Sequence, residues 1–229
     1  MPTILYKNDQ SPPARSVNML IHLMGLDFVE PRLINPILRE QDTPEMKKLN
    51  PMRTVPFIDE GDFSLGDSHA IVLYLLDKYG TAEHEYLYPK DKRKRATINQ
   101  RLFFDCGVVF QRLRAVMAPT YQGRMTEMTK EVLSGIRNAY GILEAYLSET
   151  KYLADDVMTV ADVCTISTMS SLDGLHPVDE KRYPKLKQWL TTMYSKDFVK
   201  QANEPGCKDH VDYLFILMEH NKQNQKSKL

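Results

Sequence analysis

The chain is short of cysteine, of net charge and of long apolar runs, and each shortage removes a class of function. Its 229 residues include only three cysteines, Cys106, Cys164 and Cys207, widely spaced and without a CxxC pair. That pattern excludes a disulfide-stapled scaffold and a zinc ribbon and points to a reducing compartment. His22, His84, His176, His210 and His220 have no ligand-like spacing, so no metal is expected. Thirty basic residues balance thirty acidic ones, leaving no overall field to draw the protein to nucleic acid or an anionic membrane. The run Lys92-Arg93-Lys94-Arg95 reads as the solvated start of a helix rather than a nuclear signal. No apolar stretch approaches the ~20 residues that span a bilayer, and MPTILYKND lacks the apolar core of a signal peptide, so the expectation is a soluble protein.

What is present is ordinary globular composition, 42% hydrophobic, arranged in two textures. The first third alternates short strand signals with helical ones. Thr3 to Tyr6 reads as a buried strand; Val17, Leu20, Ile21 and Met24 mark one helix face, which Gly25 ends. A second strand fits 28–34, a short helix 44–49, and TVPFID and FSLG form a hairpin around EGD. Ser68 opens a further helix, giving the order β-α-β-α-β-β-α. After a charged, aperiodic stretch the pattern becomes helical: Leu102, Cys106, Val109, Leu113 and Val116 predict one long helix, and Thr159 with Asp162 predicts a capping box. The expected organisation is an α/β domain over 1–80, a linker over 81–91, an all-α domain over 92–221 and a flexible tail over 222–229.

Three stretches carry candidate chemistry. In NDQSPPAR, Pro12 and Pro13 suit the first turn of a helix, where their missing N–H groups cost nothing. Ser11 therefore stands at a helix N-terminus, where its hydroxyl either caps the helix or donates to an anion held by the helix dipole. In NPMRTVPFID, a Val55–Pro56 bond of cis form turns the valine backbone outward for an extended peptide; a plain edge-strand proline is the alternative. Asp67 and Ser68 begin the next helix and suit an ammonium and a carboxylate, or simply cap it.

SPPARS, NPMRTVPFID, LGDSHAIVLYL and TVADVC, in this order, resemble the cytosolic glutathione transferases, and among them the insect delta and epsilon classes, with epsilon favoured by DSHAI. The resemblance implies a thioredoxin-like N-terminal domain, a helical C-terminal domain, a homodimer and glutathione as co-substrate. It gives Ser11 the role of catalytic donor to the glutathione sulfur, and gives Val55 and the cis Pro56, with Thr54 beside them, the cysteinyl backbone. Asp67 and Ser68 take the γ-glutamyl end. Arg53 and Gln41 occupy positions often filled by histidine and are assigned to the glycyl end. Pro13, Leu33, Leu38, Val108, Arg112, Val116 and Pro119 are assigned to the electrophile pocket. Tyr6 lies near a position that activates the thiol in other classes, but SPPAR makes it a strand residue here.

The resemblance implies conjugation of glutathione to apolar electrophiles in the cytoplasm, with peroxidase activity as a side reaction. No acidic residue lies between 106 and 118, where relatives devoted to hormone synthesis carry one, which argues against a steroid role. A ligand carrier or adaptor with the same fold is the alternative; a disulfide reductase would want cysteine in place of Ser11. The final Ser227-Lys228-Leu229 spells a peroxisomal address.

Overall fold

The computed structural model describes residues 2–36 and 38–226. Strand β1 (Ile4–Lys7), helix α1 (Pro12–Met24), β2 (Glu30–Leu33), α2 (Pro44–Leu49), β3 (Phe57–Asp59), β4 (Ser64–Gly66) and α3 (Ser68–Tyr79) follow the expected order. The sheet runs β2-β1-β3-β4, with β1 parallel to β2 and the other pairs antiparallel. Local chemistry sets the boundaries. The Gly25 N–H closes α1 onto His22 and Ile21 with φ of 64°, a left-handed conformation that a residue with Cβ adopts at a cost. Strand β2 is shorter than the run 28–34 because the Val29 N–H turns back to the Leu26 carbonyl at 3.1 Å.

A 3-10 helix, Ala82–Leu87, crosses the expected linker. Helices α4 (Lys92–Phe104), α5 (Phe110–Tyr121), α6 (Lys130–Glu149), α7 (Val160–Leu175), α8 (Pro184–Tyr194), α9 (Asp197–Ala202) and α10 (Glu204–Lys226) follow. Helix α10 continues to Lys226, so 222–226 are helical where a flexible tail was expected. The address at 227–229 lies outside the described residues.

Helix α7 is buried along nearly its whole length and packs against α1, α4 and α10. Its start is fixed by the expected capping box: buried Asp162 accepts from the Thr159 N–H at 2.8 Å and also from Trp189 Nε1 at 2.9 Å. One continuous apolar core then runs from Leu5 and Val17 through Ile71, Leu113 and Ile166 to Leu214. A smaller cluster of Tyr6, Ile34 and Phe57 lies under α2 residues Met46 and Leu49.

The long helix after the linker is interrupted. Residues Asp105–Val109 form a wide π turn in which the Phe110 N–H reaches the Asp105 carbonyl. That insertion rotates the inward face. Asp105, 2% exposed, takes the inward place expected of Cys106, which is only partly buried.

Candidate functional site

Strand register gathers the candidates at one end of the sheet. Tyr6 pairs with Phe57, and Phe57 with Gly66. The chain leaving β1 toward Ser11, the chain entering β3 from Val55 and Pro56, and the chain leaving β4 into Asp67 therefore emerge together. Lys7 pairs in parallel with Leu33, so the segment carrying Leu38 and Gln41 leaves from the same end.

Ser11 is the N-cap of α1 in an extended backbone conformation, yet its side chain makes no capping hydrogen bond. Of its two readings, the structure removes capping: the hydroxyl is uncommitted beside the positive end of a helix. Its backbone is held instead, the Ser11 N–H donating to the Asn8 carbonyl at 3.0 Å and its own carbonyl accepting from Arg15 N–H. Asn8 is in turn anchored by Nδ2 to the Ile34 carbonyl at 3.1 Å. Tyr6 points elsewhere. Its ring stacks on Phe57 at 4.4 Å and its hydroxyl accepts from Arg32 at 3.1 Å.

The Val55–Pro56 peptide is cis. The loop before it is shaped by buried Asn50, whose Nδ2 donates to the Thr54 carbonyl at 2.8 Å and whose Oδ1 accepts from the Met52 N–H at 3.1 Å. Arg53 adopts φ of 55°, and its guanidinium stays half exposed, 3.5 Å from Asp42. Asp42 also holds Arg39, and the Arg39 hydrogen bond is the main cause of its lowered pKa. Gln41 has a buried Oε1 without a hydrogen-bond partner.

Asp67 caps α3, the plainer of the readings offered for it, and keeps part of its carboxylate in solvent. Oδ1 caps α3 by accepting from His69 and Ala70 N–H at 2.9 and 3.1 Å, while the side chain remains 47% exposed. Its φ of 72° is unusual for a residue with Cβ, a conformation of order 1–3 kcal/mol that clusters at ligand sites. Ser68 beside it is buried. Behind them His69 Nε2 meets Asp105 Oδ2 at 3.0 Å. Burial pulls the His69 pKa down, but the Asp105 hydrogen bond and the charges of Asp105 and Asp67 outweigh it, so the net shift is upward.

The residues assigned to an electrophile pocket differ in exposure. Leu33 and Leu38 are each 69% exposed, and Pro13, Val108 and Pro119 are partly buried. Val116 is fully enclosed in the main core, so it packs the interior instead of lining a cleft. Arg112 lies over Gly135 of α6, where an added Cβ would meet its side chain at 3.2 Å, and its Nε is buried without a partner.

Other contributors escape a reading by periodicity. His69 pairs with Asp105 across 36 positions, and only its place two residues after a helix cap marks it. Buried Arg15 ties the loop before Ser11 to the helical half: Nη1 donates to the Gln10 carbonyl at 2.8 Å and Nη2 to the Ser167 carbonyl at 2.9 Å. Tyr121 and Tyr213 bring α5 and α10 together, with ring centroids 6.4 Å apart. Burial, with a smaller contribution from Tyr213, raises the Tyr121 pKa to about 12. The Arg15 charge opposes that rise.

Comparison with known proteins follows from this geometry. The model for the glutathione S-transferase N-terminal domain matches residues 5–83, and that for the C-terminal domain matches 109–197. The chain is 40% identical over 211 residues to glutathione S-transferase 1 of Manduca sexta, covering 90% of this chain and 96% of that relative. An epsilon-class glutathione S-transferase from the housefly Musca domestica superposes with a TM-score of 0.90 at 36% identity, over 94% of this chain and 98% of that one. A glutathione transferase homolog from Drosophila mojavensis, solved with bound glutathione, superposes at 0.87 with 36% identity, over 93% of this chain and 95% of that one. Among the described residues, no helix is long and apolar enough to cross a membrane.

Proposed function

The chain belongs to the glutathione S-transferase family, of the insect delta and epsilon type, and from that premise we propose that it joins the glutathione sulfur to apolar electrophiles. The observation that carries this reading is the Ser11 hydroxyl, present at the N-terminus of α1 and not spent on capping it.

A free thiol of cysteine type titrates near ~8.5. A hydroxyl donor and the partial positive charge of a helix N-terminus both favour the thiolate. The thiolate then attacks carbon: the sulfur lone pair forms the C–S bond while the leaving group or opened ring takes the displaced electron pair. Val55 offers its backbone N–H and carbonyl to the cysteinyl segment, with Thr54 and cis Pro56 shaping that edge. The free oxygen of Asp67 takes the γ-glutamyl ammonium and Ser68 its carboxylate. Arg53 attracts the glycyl carboxylate with a permanent charge. Gln41 supplies an unpartnered acceptor, which fits a peptide N–H of the ligand and differs from what a histidine would offer.

The acceptor lies where the two halves meet, between Pro13, Leu38, Val108 and the Tyr121–Tyr213 pair. Arg112 enters this space if a ligand draws it from Gly135. The working form is a homodimer in the cytoplasm, with Ser227-Lys228-Leu229 as a second, peroxisomal address.

A panel of glutathione with a chlorinated aromatic, an epoxide, a hydroperoxide and an organophosphate tests the proposal. Saturable turnover on the first two is expected, and reduction of the hydroperoxide would add the peroxidase side reaction. Tight glutathione binding with no turnover on any of the four would replace the enzyme with a ligand carrier or adaptor.

A further inference from the structure

Asp67, His69 and Cys106 each present a ligand atom, and those atoms all lie within 4.8 Å of one another. His69 Nδ1 is 3.8 Å from Asp67 Oδ1. In a tetrahedral zinc site, two nitrogen or oxygen ligands stand roughly 3.4 Å apart and a sulfur slightly farther from each. The His69–Asp67 separation is slightly wider than that spacing, and Asp67 and Cys106 are both reachable from solvent.

The surroundings supply a second, independent sign. A histidine that binds a metal through one ring nitrogen commonly donates its other N–H to a carboxylate, which fixes the tautomer and raises ligand basicity. His69 is built this way: Nε2 faces Asp105 Oδ2 at 3.0 Å, leaving Nδ1 directed toward Asp67. Asp105 is buried, and its other oxygen, Oδ1, has no hydrogen-bond partner. Among the described residues the ion-pair partner of both carboxylates is His69. Two carboxylates thus share one imidazole.

We infer that Asp67, His69 and Cys106 form an inhibitory site for a borderline-soft divalent cation such as Zn²⁺, oriented by Asp105. On binding, the Cys106 S–H bond breaks, its proton passes to solvent, and the sulfur pair forms the bond to the metal. The imidazole binds as the neutral tautomer with its proton on Nε2. A fourth position stays open to water. Occupation removes Asp67 from glutathione, so metal and glutathione compete; this competition rests on the reading of Asp67 as a γ-glutamyl ligand.

Titration of the full chain, free of any polyhistidine tag, with Co²⁺ tests the site through the near-ultraviolet thiolate-to-cobalt absorption band. The expected result is a saturable band at about one Co²⁺ per chain, displaced by Zn²⁺ and abolished in Cys106→Ser. Asp105→Asn should weaken Co²⁺ binding about 10- to 100-fold. Absence of the band in the wild type, or its persistence in folded Cys106→Ser, overturns the site. S-methylglutathione, whose sulfur is blocked, should suppress the band. A band indifferent to it leaves the metal site standing and overturns the glutathione role of Asp67.

Discussion

Arg15 Nε donates to Asn203 Oδ1 at 2.8 Å across 188 positions of sequence, wholly inside the protein. The same guanidinium reaches the Ser171 hydroxyl at 2.7 Å and the Gln10 carbonyl at 2.8 Å. Burial lowers the Arg15 pKa to about 10, still well above neutrality, so the clamp stays charged at physiological pH. Removing it strands several acceptors. Arg15→Ala should destabilise the protein by about 3–5 kcal/mol, the cost of breaking a buried charged network. Arg15→Lys keeps charge without the fork and should recover only part of that loss. Urea unfolding of both variants measures it.

Gly206 lets α10 meet the loop that leads to Ser11. A Cβ at this position would lie 2.0 Å from the Asp9 carbonyl oxygen, an approach that only glycine permits. Gly206→Ala should lower Tm and also lower kcat, because the displaced backbone is two residues before Ser11. Unchanged kcat in a destabilised variant would mean that the loop keeps its place without α10.

Ser11→Ala should reduce kcat by roughly tenfold to a thousandfold, the effect of losing one preorganised donor to a developing anion. Glutathione affinity should change little. Equilibrium binding beside steady-state kinetics separates the two, and wild-type turnover at saturating glutathione would turn attention from Ser11 to Tyr6.

Asp67→Ala and Arg53→Ala should act chiefly on the KM for glutathione, since the proposed reading assigns both to ends of the peptide remote from sulfur. Asp67→Ala also removes the α3 cap, worth about 1 kcal/mol. Asp67→Asn keeps an oxygen for the cap, so a KM increase retained in Asn isolates the lost charge.

His210 makes the protein sensitive to mild acid. Burial, reinforced by the Arg15 charge, lowers its pKa to about 3 from an ordinary value of 6.5. The folded state therefore keeps it neutral while the unfolded chain takes up a proton below 6.5. Its contribution is complete above pH 6.5 and declines as pH falls toward 3, by up to about 1.4 kcal/mol per pH unit. His210→Gln should flatten this part of the acid limb in urea unfolding followed from pH 7.5 to 5. An acid limb as steep as that of the wild type would assign the loss to other groups.

By itself the sequence determined what depends on neighbours a few residues apart. Pro12 and Pro13 start α1 and Gly25 stops it; Thr159 with Asp162 starts α7; a two-residue alternation and a helical period set the strand and helix order. These rules act within one turn or one hairpin, where backbone geometry leaves few choices. The same reasoning put Ser11 and Asp67 at helix starts, but spacing cannot say where a side chain spends its hydrogen bonds. Tertiary structure decided that Ser11 is free, that Asp67 caps with one oxygen, and that Tyr6 faces Phe57. It also exchanged Cys106 for Asp105, because a π turn adds a residue that a regular period cannot anticipate. Arg15 and His69 would both suit a solvated helix face; their partners lie 188 and 36 positions away, and only packing the halves around α7 brings those partners within reach.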